Sequence, residues 1–315
     1  MKVGILGAGA MGSFIGAHLV KGGADVTLVD PFAAHMDAIA ENGLSVTIGE
    51  ETEIVNVAAV KTPDEAGPQD VIIVLVKGPF TRSALQGAGA MFTDDTIVLS
   101  FQNGVGNVPI IKEFVPGERA GYGTLALTAM LLEPGKISGT KGLGANIHFT
   151  NETKTFEGNW KELAEALTAG GFEAEFTDDT DVMIWTKLMV NCCSNLLCGL
   201  IRIKAGPAFY LPEGYDIQRH IAEELAAVAN AIGIPLKLEE AWDAFENGLM
   251  PKAKEHYPSS AQDVINKKPS EIDFLNGAVW KYGQEAGVPT PYNEVVTKLV
   301  HLLEATYDIQ FGSNK

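Results

Sequence analysis

Residues 2–30 read KVGILGAGAMGSFIGAHLVKGGADVTLVD, and this stretch decides the fold of the first half of the chain. The apolar run from Val3 to Leu6 is bounded by glycine, as expected of a strand that is buried on both faces. A glycine-rich turn follows, then an amphipathic helix, and then a second apolar run from Val26 to Val29. The stretch therefore predicts a strand, a tight turn, a helix and a second strand.

The turn has the G-x-G-x-x-G spacing that is typical of dinucleotide binding. Gly7 permits the tight turn, Gly9 leaves room for a pyrophosphate against the backbone, and Gly12 lets the helix approach the sheet. Asp30 lies eighteen residues after Gly12, close to the spacing of a carboxylate that binds the ribose hydroxyls. NAD is therefore the predicted cofactor, and a glycine turn that serves packing alone is the alternative. The predicted binding residues here are Gly7, Ala8, Gly9, Ala10, Met11, Gly12 and Asp30.

Composition limits the possible partners. The 315 residues are 46% hydrophobic, enough for a substantial core, and the length suggests two domains. Forty acidic against 23 basic residues give a formal charge of −17, which argues against nucleic acid or an anionic membrane as partner. No apolar run approaches the roughly eighteen residues of a membrane span, and the chain opens on a core strand instead of a signal sequence. A cytoplasmic location is therefore predicted.

The three cysteines lie in one apolar segment. Cys192, Cys193 and Cys198 are odd in number and lack a C-x-x-C spacing. This pattern favours buried thiols over a disulfide or a metal site, so no metal is predicted.

The pattern of elements changes near residue 175. Before it, strand-like runs alternate with helical segments, which predicts an α/β domain over residues 1–174 with a doubly wound, mostly parallel sheet of the Rossmann type. After it, every segment has helical periodicity, which predicts an all-α domain over residues 175–315. Ligands are expected in a cleft at the carboxyl ends of the strands. The remaining strand-like runs are 45–48, 71–76, 96–100, 121–129 and 146–149, and the helical runs are 181–200, 215–232, 238–255, 271–286 and 292–307.

A lysine and two asparagines recur every four residues in the segment WTKLMVNCCSN. On a helix, Lys187, Asn191 and Asn195 lie on one slowly drifting face among apolar neighbours. Burying a lysine and two amides is unfavourable unless they have partners, which favours a polar site. Partial desolvation is expected to lower the pKa of the lysine toward the working range of a general acid. The alternative is a lysine that extends to solvent beside two capping amides.

Two further clusters are candidates for the same site. The motif FQNGVGN at 101–107 follows a predicted strand, so Asn103 is expected to project from the end of that strand. The motif PSSAQD at 258–263 and the later Glu271 place hydroxyls and carboxylates around a helix start. A plain turn and ordinary N-capping are the respective alternatives.

These motifs together resemble the ketopantoate reductase (2-dehydropantoate 2-reductase) family over nearly the whole chain. They are G-A-G-A-M-G, Q-N-G-V-G-N, W-x-K-L-x-x-N-x-x-x-N, and P-S-x-x-Q-D followed by E-I-D-x-x-N-G. The resemblance implies reduction of 2-dehydropantoate to pantoate by hydride transfer from NAD(P)H, on the route to pantothenate and coenzyme A. The implied catalytic residues are Lys187 and Glu271, the substrate-binding residues are Asn103, Asn191, Asn195 and Ser259, and Lys77, Asn103 and Ala129 join the cofactor-binding set.

Two positions depart from the family pattern. The family usually uses NADPH and carries an arginine after the second strand, whereas this chain has Asp30 followed by Pro31 and Phe32. We therefore predict a preference for NADH, with NADP as the secondary cofactor. Lys268 stands where the family often has arginine, so substrate binding is expected to differ. The alternatives are a reductase of another small 2-keto acid and a non-catalytic NAD-binding sensor, and a homodimer through the helical half is a further expectation.

Overall fold

The computed structural model describes residues 1–141 and 146–310. The chain forms two compact units, of which the first contains Met1–Gln102 and Asn107–Thr180. The second contains Asn103–Gly106 and the residues from Asp181 on. The second unit is therefore not a continuous segment, because four residues of the N-terminal half belong to it. A strand at Glu173–Phe176 spans the domain boundary that the sequence predicts between residues 174 and 175.

Twelve strands are found in the described residues, all in the first unit. They are β1 (Lys2–Leu6), β2 (Asp25–Val29), β3 (Leu44–Ile48), β4 (Glu51–Val55), β5 (Ala58–Val60), β6 (Val71–Val74), β7 (Ile97–Ser100), β8 (Ala120–Leu125), β9 (Leu127–Glu133), β10 (Lys136–Lys141), β11 (Asn146–Asn151) and β12 (Glu173–Phe176). Eight of them form one sheet in the order β12-β11-β8-β7-β6-β1-β2-β5. Neighbouring strands run parallel except β8 and β11. This sheet confirms the predicted α/β class.

The centre of this sheet is the most deeply buried part of the first unit. Strands β6 and β7, with the sequences VIIV and IVLS, are buried at every position. A strand covered on both faces needs such a continuous apolar run, whereas a half-exposed strand alternates. The helices of this unit are α1 (Ala10–Lys21), α2 (Ala33–Asn42), α3 (Pro63–Ala66), α4 (Thr81–Gly87), α5 (Asn107–Ile111) and α6 (Asn159–Ala169).

A second, four-stranded sheet with the order β4-β3-β10-β9 was not foreseen. The strand predicted at residues 45–48 is β3, which belongs to this sheet and pairs antiparallel with β4. The sheet also divides the predicted run 121–129, because β8 ends at Leu125 and the chain enters β9 at Leu127. Gly139 on β10 allows this sheet to lie against α1, since a Cβ there would be 2.3 Å from the Phe14 ring.

The described residues of the second unit form helices and connecting loops and no strand, as predicted. Its helices are α7 (Thr180–Ile201), α8 (Ala205–Tyr210), α9 (Pro212–Ala231), α10 (Leu238–Asp243), α11 (Met250–Ala253), α12 (Ser259–Ile265), α13 (Asn276–Ala286) and α14 (Pro291–Glu304). The run predicted at 238–255 is interrupted by a π-helical turn at Ala244–Leu249. Pro251 follows that turn and has no N–H for a helical hydrogen bond, which accounts for the irregularity. The run predicted at 271–286 begins as a 3₁₀ turn, Ile272–Phe274, before α13.

Helix α7 is the core helix of this unit. By length and composition it could cross a membrane, which corrects the sequence-based statement that no apolar run approaches such a length. However, 61% of its most apolar stretch is buried within the protein, which is also the property of a core helix in a soluble fold. The predicted burial of Cys192, Cys193 and Cys198 is confirmed, and all three lie on this helix.

Candidate active site

The glycine turn at residues 7–12 joins β1 to α1 in the first unit. Gly7 has φ = +94°, and a Cβ there would lie 2.3 Å from the backbone nitrogen of Val76. A Cβ on Gly12 would lie 2.2 Å from the carbonyl oxygen of Gly7. Glycine is therefore required at both positions, at the first for the tight turn and at the second for the close approach of the helix.

Gly9 is the N-cap of α1 and faces open space. Apart from its chain neighbours and its own helix, no described atom lies within 4 Å of the position that a Cβ would take. No side chain caps the helix, so the N–H groups of its first turn have no side-chain partner. A dinucleotide pyrophosphate fits such a cradle, because the N–H groups and the positive end of the helix dipole attract an anion.

Asp30 directly follows β2 at the same edge of the sheet. Its backbone N–H donates to the carbonyl oxygen of Val60 at 3.2 Å. Its carboxylate Oδ1 accepts the backbone N–H of Phe32 at 2.9 Å. This short turn holds the carboxylate at the carboxyl end of the strand, where the spacing predicts a partner for the ribose.

The remaining predicted cofactor residues of this unit lie at two different places. Lys77 is exposed and follows β6, the strand beside β1, so it belongs to the same sheet edge as the glycine turn. Ala129 lies instead in β9 of the four-stranded sheet, opposite Gly139. Arg82, on the helix α4 that follows β6, forms an ion pair with Glu113.

In the second unit, α7 carries the lysine and the two asparagines one helical turn apart. Lys187 and Asn191 are half-buried, and Asn195 is 6% exposed. Burial lowers the pKa of the Lys187 ammonium from 10.5 to about 8, and the negative charge of Glu271 acts in the opposite direction. The direction agrees with the expectation drawn from the apolar neighbours. Lys187 is therefore charged at neutral pH, yet acidic enough to give up a proton.

Glu271 precedes the 3₁₀ turn at Ile272–Phe274 and is 6% exposed. Its side chain makes no capping hydrogen bond to that turn. Its charge instead favours the protonated form of Lys187. The capping alternative therefore does not account for this carboxylate, whereas its charge interaction with the half-buried Lys187 does.

Ser259 is exposed at the first position of α12, and no side chain caps that helix. A Cβ on Gly199 would lie 3.2 Å from the Cα of Ala261, so α12 packs closely on α7. Gly199 lies one helical turn after Asn195 on α7. Its contact with α12 therefore brings the start of α12 next to the side of α7 that carries Lys187, Asn191 and Asn195. The neighbouring Ser260 is buried, and its hydroxyl has no hydrogen-bond partner among the described residues.

The loop at Asn103–Gly106 is the part of the N-terminal half that packs in the second unit. The N–H of Val105 donates to the carbonyl oxygen of Phe274 at 2.9 Å. Gly104 has φ = +82°, and a Cβ there would lie 2.1 Å from the same oxygen. The sequence places Asn103 at the end of a strand, but β7 already ends at Ser100, and the contact with Phe274 decides the position of the loop.

We expect Gly104→Ala to destabilise the protein more than Gly106→Ala. Both glycines have positive φ, at +82° and +101°, so each alanine costs about 1 to 2 kcal/mol of strain. Only Gly104 also faces a backbone atom at 2.1 Å, whereas the nearest atom to a Cβ on Gly106 is the Phe274 ring at 3.9 Å. Urea unfolding of the two variants measures the difference, and equal losses of unfolding free energy would show that the Phe274 contact is not tight.

A buried amide network that the sequence analysis missed holds α7 in place. Asn276 Nδ2 donates to the backbone oxygen of Cys192 at 3.1 Å and to Asn293 Oδ1 at 3.0 Å. Asn293 Nδ2 in turn donates to a carboxylate oxygen of Glu224 at 2.7 Å. These bonds join α7, α13, α14 and α9 beside the lysine and asparagine face. The N-G pair after E-I-D-x-x is the only local signal for this network, because its partners are distant in sequence.

The fold and the two sets of residues are those expected of an NAD(P)-dependent oxidoreductase with a Rossmann-type unit. Comparison with known proteins gives the family. The family model described as ketopantoate reductase PanE/ApbA matches residues 3–149, and its C-terminal counterpart matches residues 179–304. The chain belongs to the ketopantoate reductase family, which confirms the resemblance seen in its motifs.

Full-length relatives carry the same name. A 2-dehydropantoate 2-reductase of Streptococcus pyogenes is 33% identical over 98% of this chain and 100% of its own length. The enzyme of that name from Lactococcus lactis is 33% identical over 96% of this chain and 98% of its own length.

Two solved structures are similar over almost the whole chain. A D-mandelate dehydrogenase in ternary complex with NADH and anilino(oxo)acetate has a TM-score of 0.88 and 32% identity, covering 98% of this chain and 100% of its own. A ketopantoate reductase from Ralstonia eutropha has a TM-score of 0.87 and 29% identity, covering 97% of this chain and 99% of its own.

Proposed function

We propose that this protein reduces 2-dehydropantoate to pantoate, with NADH as the preferred hydride donor, on the route to pantothenate and coenzyme A. The observation that carries the proposal is the half-buried Lys187 on α7, whose ammonium has a pKa of about 8 and interacts with the charge of the Glu271 carboxylate. Reduction of a ketone leaves negative charge on its oxygen, so the site needs a proton donor there. The Lys187 ammonium supplies this proton.

The other residues of the second unit would hold the substrate. The carboxylate of a 2-keto acid needs hydrogen-bond donors, which the amides of Asn191 and Asn195 and the hydroxyl of Ser259 supply. The 2-dehydropantoate molecule also has a hydroxyl, and Glu271 would accept a hydrogen bond from it while orienting the lysine. Asn103 would contribute a further amide from the loop beside Phe274.

The first unit would hold the dinucleotide. The N–H groups around Gly9 would bind the pyrophosphate, and the Asp30 carboxylate would accept hydrogen bonds from the ribose hydroxyls. When bound, NADH supplies the hydride for the substrate carbonyl. The protonation state of Lys187 and the orientation of the keto acid depend on the protein itself.

A substrate panel tests the proposal. Purified protein is assayed with 2-dehydropantoate, pyruvate, 2-ketoisovalerate and benzoylformate, each with NADH and with NADPH. We expect the highest kcat/KM with 2-dehydropantoate. A clear preference for another acid would replace the substrate, and no oxidation of either cofactor with any acid would favour a binding protein without turnover.

A second candidate is a dehydrogenase of an aromatic 2-hydroxy acid. The similarity to the D-mandelate dehydrogenase, with a TM-score of 0.88, favours it. Benzoylformate, the keto acid that corresponds to mandelate, separates the candidates in the same panel. The NADH in that complex also agrees with the cofactor proposed here.

Preference for NADH is expected to be at least tenfold in kcat/KM. The Asp30 carboxylate would face the doubly charged 2′-phosphate of NADPH, and at about 5 Å with an effective dielectric of about 20 each pair of unit charges repels by roughly 3 kcal/mol. Half of that value is still about a tenfold preference. Lys61 directly follows Val60, which accepts the Asp30 N–H, but it pairs with Asp37 at 2.7 Å, and Arg82 pairs with Glu113.

The Asp30→Ser variant checks this argument. It removes the charge but keeps an oxygen that can accept the N–H of Phe32, so the turn is preserved. The ratio of kcat/KM with NADH to kcat/KM with NADPH should fall toward one. An arginine added nearby should then favour NADPH. A wild-type enzyme that prefers NADPH would show that Asp30 does not face the ribose.

A further inference from the structure

A chain of buried hydrogen bonds leads from α2 to the glycine turn. Gly135 N–H donates to His35 Nδ1 at 2.8 Å. His35 Nε2 lies 3.1 Å from Ser13 Oγ, which donates to the carbonyl oxygen of Ala8 at 2.9 Å. His35 and Ser13 are fully buried, so these bonds do not compete with water.

The donors and acceptors of this chain can be assigned uniquely. The Gly135 nitrogen can only donate, so His35 Nδ1 must accept, and the ring must be neutral with its proton on Nε2. That proton goes to Ser13 Oγ, and the Ser13 hydroxyl proton goes to Ala8. Burial lowers the pKa of His35, while the Asp30 charge and a hydrogen bond with the Ala8 backbone raise it, and the net lowering favours this neutral form.

The last bond fixes the orientation of one peptide group in the turn. In a trans peptide the C=O and the N–H of the next residue point in opposite directions. Because the Ala8 carbonyl is directed inward to Ser13, the N–H of Gly9 is directed outward. This N–H makes no hydrogen bond among the described residues.

We infer that His35 is a positioning residue for the dinucleotide: through Ser13 it holds the Ala8–Gly9 peptide so that the Gly9 N–H faces the pyrophosphate. The inference rests on the proposed binding of NADH at the glycine turn. His35 does not contact the cofactor itself. Its effect is on cofactor affinity and not on the chemical step.

Two substitutions of His35 separate positioning from general stability. His35→Gln keeps an N–H near the Nε2 position, and with it the bond to Ser13. His35→Asn keeps an acceptor near the Nδ1 position, and with it the bond from Gly135, but cannot reach Ser13. Both lose one buried bond, so both should lower Tm, whereas only the asparagine variant should lose cofactor affinity.

The experiment measures the NADH dissociation constant by fluorescence titration of the protein without substrate, together with Tm. His35→Asn and Ser13→Ala should raise Kd about tenfold, since a lost hydrogen bond to a charged group weakens binding by about that factor or more. His35→Gln should stay within about threefold of wild type. At saturating NADH and substrate, kcat should change little in all three. The control is His18→Gln on α1, the helix that carries Ser13. His18 Nδ1 lies 2.7 Å from the carbonyl oxygen of Gly170, so this variant should lower Tm without changing Kd.

The outcomes have separate meanings. If wild-type protein binds no NADH, the proposed cofactor is wrong. If wild type binds NADH and the three variants bind it equally well, only the positioning role is wrong. If the glutamine and asparagine variants lose the same amount of Tm and weaken NADH binding to the same extent, the role of His35 is structural. That result would also overturn the inference.

Discussion

Lys187→Ala is expected to reduce turnover by roughly a hundredfold to ten-thousandfold while NADH binding stays close to wild type. The ammonium would act on the keto oxygen, whereas the dinucleotide would be held by the glycine turn of the other unit. Steady-state kinetics and NADH titration on the same preparation measure the two effects. Turnover within tenfold of wild type would remove Lys187 from the chemistry.

The pH profile of the wild-type enzyme gives an independent check on Lys187. Because burial lowers the pKa of its ammonium to about 8, the proton donor is present below that pH and is lost as the pH rises through it. Turnover should therefore decline above about pH 8. In Lys187→Arg the charge persists to much higher pH, so the decline should disappear from whatever activity remains.

Glu271→Gln is expected to weaken substrate binding, to lower turnover and to move the alkaline limb of the pH profile to lower pH. The carboxylate raises the pKa of Lys187, so its removal leaves burial unopposed and the pKa falls below about 8. Kinetics as a function of pH measure the shift. A variant with unchanged KM and an unchanged alkaline limb would contradict the role.

The chain offers a matched control two residues away. Asp273 lies in the same 3₁₀ turn, but it pairs with His301 at 2.9 Å and its side chain is 66% exposed. Asp273→Asn should leave kcat, KM and the pH profile unchanged, since an exposed ion pair adds little to stability and the charge that acts on the pKa of Lys187 is that of Glu271. Similar kinetics in both variants would show that the whole segment, and not the Glu271 charge, is responsible.

The elements that depend on local pattern are the ones that the sequence predicts well. The glycine turn follows from backbone conformations at Gly7 and Gly12, and the lysine and asparagine face follows from helical spacing in α7. Both are set within a dozen residues. The charge of Glu271 on Lys187 joins distant segments, and only the family motifs indicated it in advance.

The elements that the sequence did not predict depend on distant contacts. The run 121–129 shows no break, yet β8 and β9 belong to different sheets because β9 finds its partner in β10. Asn276 and Asn293 meet only through the packing of α13 on α14. The bonds that orient His35 come from Ser13 and Gly135, which its neighbours in sequence do not reveal.

The contact of the Asn103–Gly106 loop with Phe274 has a consequence for how the chain is made. During synthesis the loop leaves the ribosome early, but the carbonyl oxygen that Val105 binds arrives only when most of the chain is complete. The first unit can fold while this loop is still unattached, and the loop can take its final place only near the end. A fragment that starts at residue 175 would lack these four residues altogether, so the helical half expressed alone would be an incomplete second unit.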